Sequence, residues 1–120
     1  MRVGLLGDAL KGDAKANAER WKGSVEPLSV DLLSGAELIV DALFGAGLTR
    51  PLDRIAHDVV EAVNRSDIPC VAVDIPSGVH GDSGEVFGTA PRCTLTVTFF
   101  RKKPGHLMSP GRELDRKSVV

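Results

Sequence analysis

Three consecutive segments between residues 37 and 75 constrain the fold more than anything else in the chain. The run from Glu37 to Phe44 is almost wholly apolar and of strand length, and the run from Cys70 to Ile75 is a second such stretch, stopped by Pro76. Between them apolar residues recur at Leu52, Ile55, Ala56, Val59, Val60 and Val63, the spacing of a helix that buries one face. Pro51 suits the first turn and Pro69 lies past the end, so the pattern predicts a helix over 51–65. A strand, a helix and a strand of these lengths return on themselves as a right-handed crossover, with the two strands parallel. Because residues 37–44 are apolar on both faces, that strand is expected to be central and covered on both sides.

The remaining segments attach to this unit. Arg2 to Leu6 reads as a short buried strand, Gly7-Asp8 as a turn, and Asp13 to Trp21 as a polar, alanine-rich helix. Pro76 to Pro91 is a long glycine-rich loop, of the kind that is functional or disordered. Leu95 to Phe100 predicts a third buried strand, Arg101 to His106 a basic turn, and residues 111–120 a polar tail ending in two valines.

Composition then limits the partners. The chain has 120 residues, with 42% hydrophobic, 26% charged and 4% aromatic, a balance expected of one soluble domain with an aliphatic core. A net charge of −1 supplies no basic field for nucleic acid or for an anionic membrane surface. No apolar run approaches the roughly 18 residues that span a bilayer. The N-terminal residues lack a secretory pattern, so the expected location is the reducing cytoplasm, and Cys70 and Cys93 read as inert core thiols.

Ligands of open parallel sheets bind beyond the carboxyl ends of the strands, which is where Asp41 and Asp74 fall. The pair predicts a crevice in which the two carboxylates approach each other; the plainer alternative is that each caps a loop amide. Gly45-Ala46-Gly47 ahead of a helix offers free amides and a favourable dipole to a phosphate, with Thr49 and Arg50 beside it, or else simply makes a turn. Ser77 lacks the first glycine of a nucleophile elbow. It could share a cation with Asp41, and one carboxylate among neutral oxygens suits a monovalent ion, or it could steady a turn. His57, His80 and His106 have no metal-ligand spacing and read as ordinary polar residues, and Arg101 to Lys103 as a solvated edge or, less simply, a phosphate contact.

Taken together, the stretch from Val40 to Pro51, the run Val73-Asp74-Ile75-Pro76-Ser77-Gly78 with Gly81-Asp82-Ser83-Gly84, and Thr96 to Phe99 leading to Lys103-Pro104-Gly105-His106 closely resemble the NAD(P)H-hydrate epimerase family. The resemblance implies a Rossmann-like three-layer α/β sandwich around a mainly parallel sheet. It also implies an isomerase that interconverts the R and S epimers of hydrated NADH and NADPH, so that an ADP- or ATP-dependent dehydratase can restore the cofactor. Matched position by position, potassium ligands fall on Asp41 and Ser77, and the hydrate-binding loop on Gly45, Ala46, Gly47, Leu48, Thr49, Arg50 and Pro51. The substrate-contacting aspartate falls on Asp74, which is also the expected catalytic group, a carboxyl with raised pKa serving as acid and base. The resemblance admits a homodimer.

The same comparison marks departures. Residues 1–120 read as a partial domain, without the family's N-terminal helices, first strand and Asn-Asn-Gly-Gly-Asp loop, and with Leu114 to Lys117 where a hydrophobic closing strand is expected. Two alternatives follow: a nucleotide-binding or protein-interaction module of the same fold without catalysis, and a non-functional gene fragment. Alone, the chain is expected to expose apolar surface, to associate, and to be a poor catalyst.

Overall fold

The computed structural model describes residues 1–7 and 10–120; Asp8, half of the predicted first turn, lies outside the described residues. In chain order the elements are β1 (Val3–Leu5), α1 (Gly12–Arg20), β2 (Val25–Pro27), β3 (Ile39–Asp41), α2 (Arg54–Arg65), β4 (Cys70–Val73), β5 (Leu95–Val97), α3 (Gly111–Leu114) and β6 (Ser118–Val119). The predicted crossover is present. β3 and β4 are parallel with Val40 opposite Val71, α2 joins them, and β5 and β6 extend the same parallel sheet in the order β3-β4-β5-β6.

α2 begins later than the proline suggested. Asp53, not Pro51, caps it, its carboxylate accepting the Ala56 N–H at 2.9 Å, and the helix carries Ala56, Val59, Val60 and Val63 into the core. Ile55 belongs to the predicted stripe but stays 52% exposed, because it stands in the first turn at the margin of the buried face. Val59 and Val63 pack on Cys70, Ala72 and Cys93, while Ala56 and Val60 pack with Leu48 and Leu52. Cys70 and Cys93 are free, buried thiols with their sulfurs 3.7 Å apart, as expected of a core pair.

β3 is not the central, doubly covered strand that its composition suggested. It is an edge strand of three residues, and Leu38 and Val40 are 56% and 59% exposed. Side chains alternate across a strand, so Ile39, Asp41, Cys70, Ala72 and Thr96 face α2, while Leu38, Val40, Val71, Val73, Leu95, Val97 and Val119 share the opposite face. Among the described residues α1 has no buried residue and covers no part of that second face, where Leu38 and Val40 stay exposed. Of the three expected layers, the sheet and the α2 layer are present.

Two further differences concern the ends. β1 pairs in parallel with β2, a strand the sequence pattern does not announce, in a small sheet separate from the main one. The closing strand expected to be lost is also present in short form: the two terminal-region residues Ser118 and Val119 pair with Thr96 and Val97. The polar stretch before it is tied down by a buried hydrogen bond between His106 Nδ1 and Asp115 Oδ2 at 2.8 Å, so His106 is a core residue rather than an ordinary polar one.

Candidate functional site

The site forms where the carboxyl ends of β3, β4 and β5 meet three loops. Asp41 is the last residue of β3 and points to the α2 side, 7% exposed. Its two carboxylate oxygens accept the Ser77 hydroxyl at 2.6 Å and the Ser77 N–H at 2.7 Å, while Ser77 Oγ in turn accepts the Phe44 N–H at 2.9 Å. Burial pushes the Asp41 carboxyl up, against the hydrogen bonds from Ser77 and Leu43 that favour its charge. Among the described residues no cationic side chain pairs with it.

Asp74 lies one residue beyond β4 on a strained backbone. With φ at 73° it is the apex of a γ-turn in which the Ile75 N–H donates to the Val73 carbonyl at 3.0 Å, and Asp74 and Phe100 are the two non-glycine residues of positive φ among those described. Such conformations cost about 1–3 kcal/mol each and persist where surrounding structure holds them. The hold is visible. Asp74 Oδ1 accepts from Thr98 Oγ1 at 3.1 Å, from the Phe99 N–H at 3.3 Å, and from Lys103 Nζ. Burial alone would raise the Asp74 carboxyl, but these hydrogen bonds and the Lys103 charge outweigh it and hold it below the usual range.

Lys103 is the residue that sequence reasoning misplaced. Rather than a solvated edge, its side chain is 23% exposed and its amine also donates to Thr98 Oγ1 at 2.8 Å and to the Phe99 carbonyl at 3.0 Å. A lysine one residue before Pro104, after an exposed aromatic pair, carries no periodicity that would mark it; only the turn of the chain at 98–103 brings it back to β4.

The two carboxylates share no hydrogen-bond partner. Each is bound into its own cluster, and the loop beginning at Phe44 runs between them: Phe44 N–H reaches the Asp41–Ser77 cluster, and a Cβ on Gly45 would stand 3.5 Å from Asp74 Oδ2. Residues Phe44, Gly45, Gly47, Leu48, Thr49 and Arg50 line a shallow cavity of about 250 Å³, while Leu48 and Leu52 anchor the loop from below. Pro51 stands at its outer end, exposed, and Ala46 packs against the Ile75, Val79 and Ala90 cluster. The helix dipole expected to serve this loop does not begin until Arg54, three residues beyond Pro51, and Asp53 already takes one of its free amides.

The long loop after Pro76 is ordered. Val79 and Val86 bridge antiparallel, His80 N–H donates to Glu85 at 2.8 Å, and Gly105 N–H donates to the Gly81 carbonyl at 2.7 Å. Gly81 is needed for this closure, because a Cβ there would lie 2.7 Å from Ala46 Cβ. Ser77 is thus delivered to Asp41 by a loop whose other end braces the wall of the cavity.

A parallel α/β sheet with a carboxylate, a buried oxygen cluster and a glycine loop at the carboxyl ends of its strands defines a protein of the Rossmann-like α/β class. Residues 4–105 match the family model described as YjeF-related protein N-terminus. The chain is 52% identical over 102 residues to the "Bifunctional NAD(P)H-hydrate repair enzyme Nnr" of Thermofilum pendens, covering 85% of this chain and 18% of that protein. It is 43% identical over 95 residues to an "NAD(P)H-hydrate epimerase" of Limosilactobacillus reuteri, covering 79% and 45%, and 44% identical over 105 residues to one of Rhodobacter capsulatus, covering 82% and 49%. The chain belongs to the YjeF-related N-terminal domain family, and it spans less than half the length of these curated relatives.

Proposed function

We propose that the chain performs the chemistry of an NAD(P)H-hydrate epimerase, exchanging the R and S forms of hydrated NADH and NADPH for an ADP- or ATP-dependent dehydratase to consume. The observation that carries this reading is the Asp74 carboxylate, held by three donors on a strained turn beside the Gly45 loop. In the hydrate, a hydroxyl sits on a ring carbon next to the ring nitrogen. Proton delivery to that hydroxyl lets the nitrogen lone pair expel it as water, leaving a planar iminium, and water adding to the other face gives the second epimer. The proton that leaves with the departing hydroxyl comes from solvent, and Asp74, held below the usual carboxylate range by Lys103, accepts the proton released by the incoming water and returns it to solvent, so one proton enters and one leaves in each exchange. Lys103, bonded to the same carboxylate oxygen, orients it and leaves Oδ2 turned towards the loop.

Asp41, Ser77 and the Phe44 carbonyl, which lies 3.4 Å from Ser77 Oγ, suit a potassium ion. The set is all oxygen with a single buried negative charge and no cationic side chain, which fits a monovalent cation better than a divalent one. When bound, the ion supplies fixed positive charge under the loop where a diphosphate would rest. Buried free thiols in this reading suit a reducing, cytoplasmic setting.

The test is epimerisation by the chain extended with the Asn-Asn-Gly-Gly-Asp segment that the resemblance implies, and by the Asp74→Asn form of that extended protein, following both hydrate epimers on a resolving column. We expect the variant to keep its circular dichroism and to lose on the order of 10²-fold or more in rate, the scale of one positioned acid or base. Equal rates in the two proteins would remove Asp74 from the reaction.

A further inference from the structure

Phe100 is the second strained residue, and no packing accounts for it. Its φ is 65°, the Arg101 N–H donates to the Phe99 carbonyl at 2.7 Å across it, and its ring is 90% exposed. A bulky aromatic on positive φ is an outlier that glycine or asparagine would relieve. Both flanks of the turn are fastened to the Asp74 cluster: Phe99 N–H to Asp74 Oδ1, the Phe99 carbonyl to Lys103 Nζ, and the Arg101 carbonyl to Thr98 Oγ1 at 3.4 Å. The γ-turns at Asp74 and Phe100 therefore sit at the ends of adjacent strands β4 and β5 and are bolted to each other. Asp74 presents its free oxygen inward to Gly45, while Phe100 presents its ring outward, with the Arg101 guanidinium carbon 5.8 Å from the ring centroid.

We infer that Phe100 and Arg101 form the subsite for the distal half of a dinucleotide, the ring stacking on its planar base and the guanidinium pairing with a phosphate. The inference rests on the epimerase reading for the identity of the dinucleotide. Exposed aromatic faces recognise bases through stacking, and an arginine beside the ring adds a donor matched to phosphate oxygens. Because Asp74 Oδ2 lies beside Gly45 while Phe100 stands exposed beyond the turn, the part of the ligand on Phe100 is a part other than the reacting ring.

The experiment is calorimetric titration of the full 120-residue chain and of Phe100→Ala, Phe100→Trp and Phe100→Gly with ADP-ribose and, separately, with nicotinamide mononucleotide. ADP-ribose affinity is expected to fall about tenfold in the Ala and Gly forms and to be retained in the Trp form, the scale of one base stacked on one aromatic ring. Nicotinamide mononucleotide affinity should not change. Phe100→Gly should in addition melt at a higher temperature than the native chain, since it relieves the turn, so stability and binding move in opposite directions. Equal ADP-ribose affinity across the four proteins, equal losses for both ligands, or no ADP-ribose binding by the native chain would each overturn the inference. Phe100-dependent ADP-ribose binding with no epimerisation by the chain extended with the Asn-Asn-Gly-Gly-Asp segment would leave it standing and overturn the epimerase reading instead.

Discussion

At the scale of single residues, the two aspartates divide the work according to what surrounds them. The carboxyl with a raised pKa is Asp41, which is buried against serine and backbone donors, and not Asp74, which has Lys103 on one oxygen. The expectation that Asp74 would be the raised carboxyl failed because the lysine lies far away in sequence and its approach is set by the turn at Phe100. A buried carboxylate without a cationic partner is costly unless an ion accompanies it. We therefore expect the chain to melt higher in potassium chloride than in lithium or tetramethylammonium chloride at equal ionic strength, because an ion bound only by the native state stabilises it. Asp41→Asn should erase that difference in a thermal melt; an unchanged potassium response in the variant would assign the effect elsewhere.

At the scale of elements, α2 is the part that sequence periodicity describes best and that structure uses hardest. Val60, 2% exposed, belongs with Leu48, Leu52 and Ala56 to the cluster where the helix meets the loop carrying the cavity, and the partly buried Leu43 and Phe44 pack against that cluster. Val60→Ala removes two methylenes' worth of buried surface and leaves a gap beneath that loop, which should cost about 2 kcal/mol in a urea titration. Ile55→Ala, in the same helix but half exposed, should cost less than about 0.5 kcal/mol. Similar losses at the two positions would mean that the helix packs on a different face. The short strands around α2 were less legible. β1 and β2 have three residues each, too few to display a period, and their pairing depends on a contact between segments 22 residues apart in register, as between Val3 and Val25.

At the scale of the whole molecule, the decisive feature is the open face of the main sheet. Leu38, Val40, Val97 and Val119 stand 56%, 59%, 39% and 38% exposed on one face of the sheet, with the half-buried Val71 and Val73 of β4 between them, and β3 lies at the sheet's edge. Contiguous apolar surface of this kind drives association. The chain is expected to bind a hydrophobic dye and to elute earlier from a sizing column as its concentration rises, a homodimer being the simplest product. Val40→Lys should weaken both effects without unfolding the domain. A concentration-independent monomer that ignores the dye would show that this face is satisfied within the chain.

The sequence by itself determined the crossover of two parallel strands about an amphipathic helix, because periods of 3.6 and of continuous apolar residues are local properties that survive any arrangement of the rest. It also placed Asp41, Gly45 and its neighbours, Asp74 and Ser77 at one end of the sheet, since a parallel pair puts both strand ends on the same side. Tertiary structure alone decided which faces are covered, since the apolar character of β3 is the same whether a helix lies over Val40 or water does. It alone paired Asp41 with Ser77 and Asp74 with Lys103, and His106 with Asp115. The pairing of Asp74 with Lys103 goes with turns at Asp74 and Phe100 whose backbone their residue types disfavour, and a backbone conformation held against local preference can be read only from the contacts that hold it.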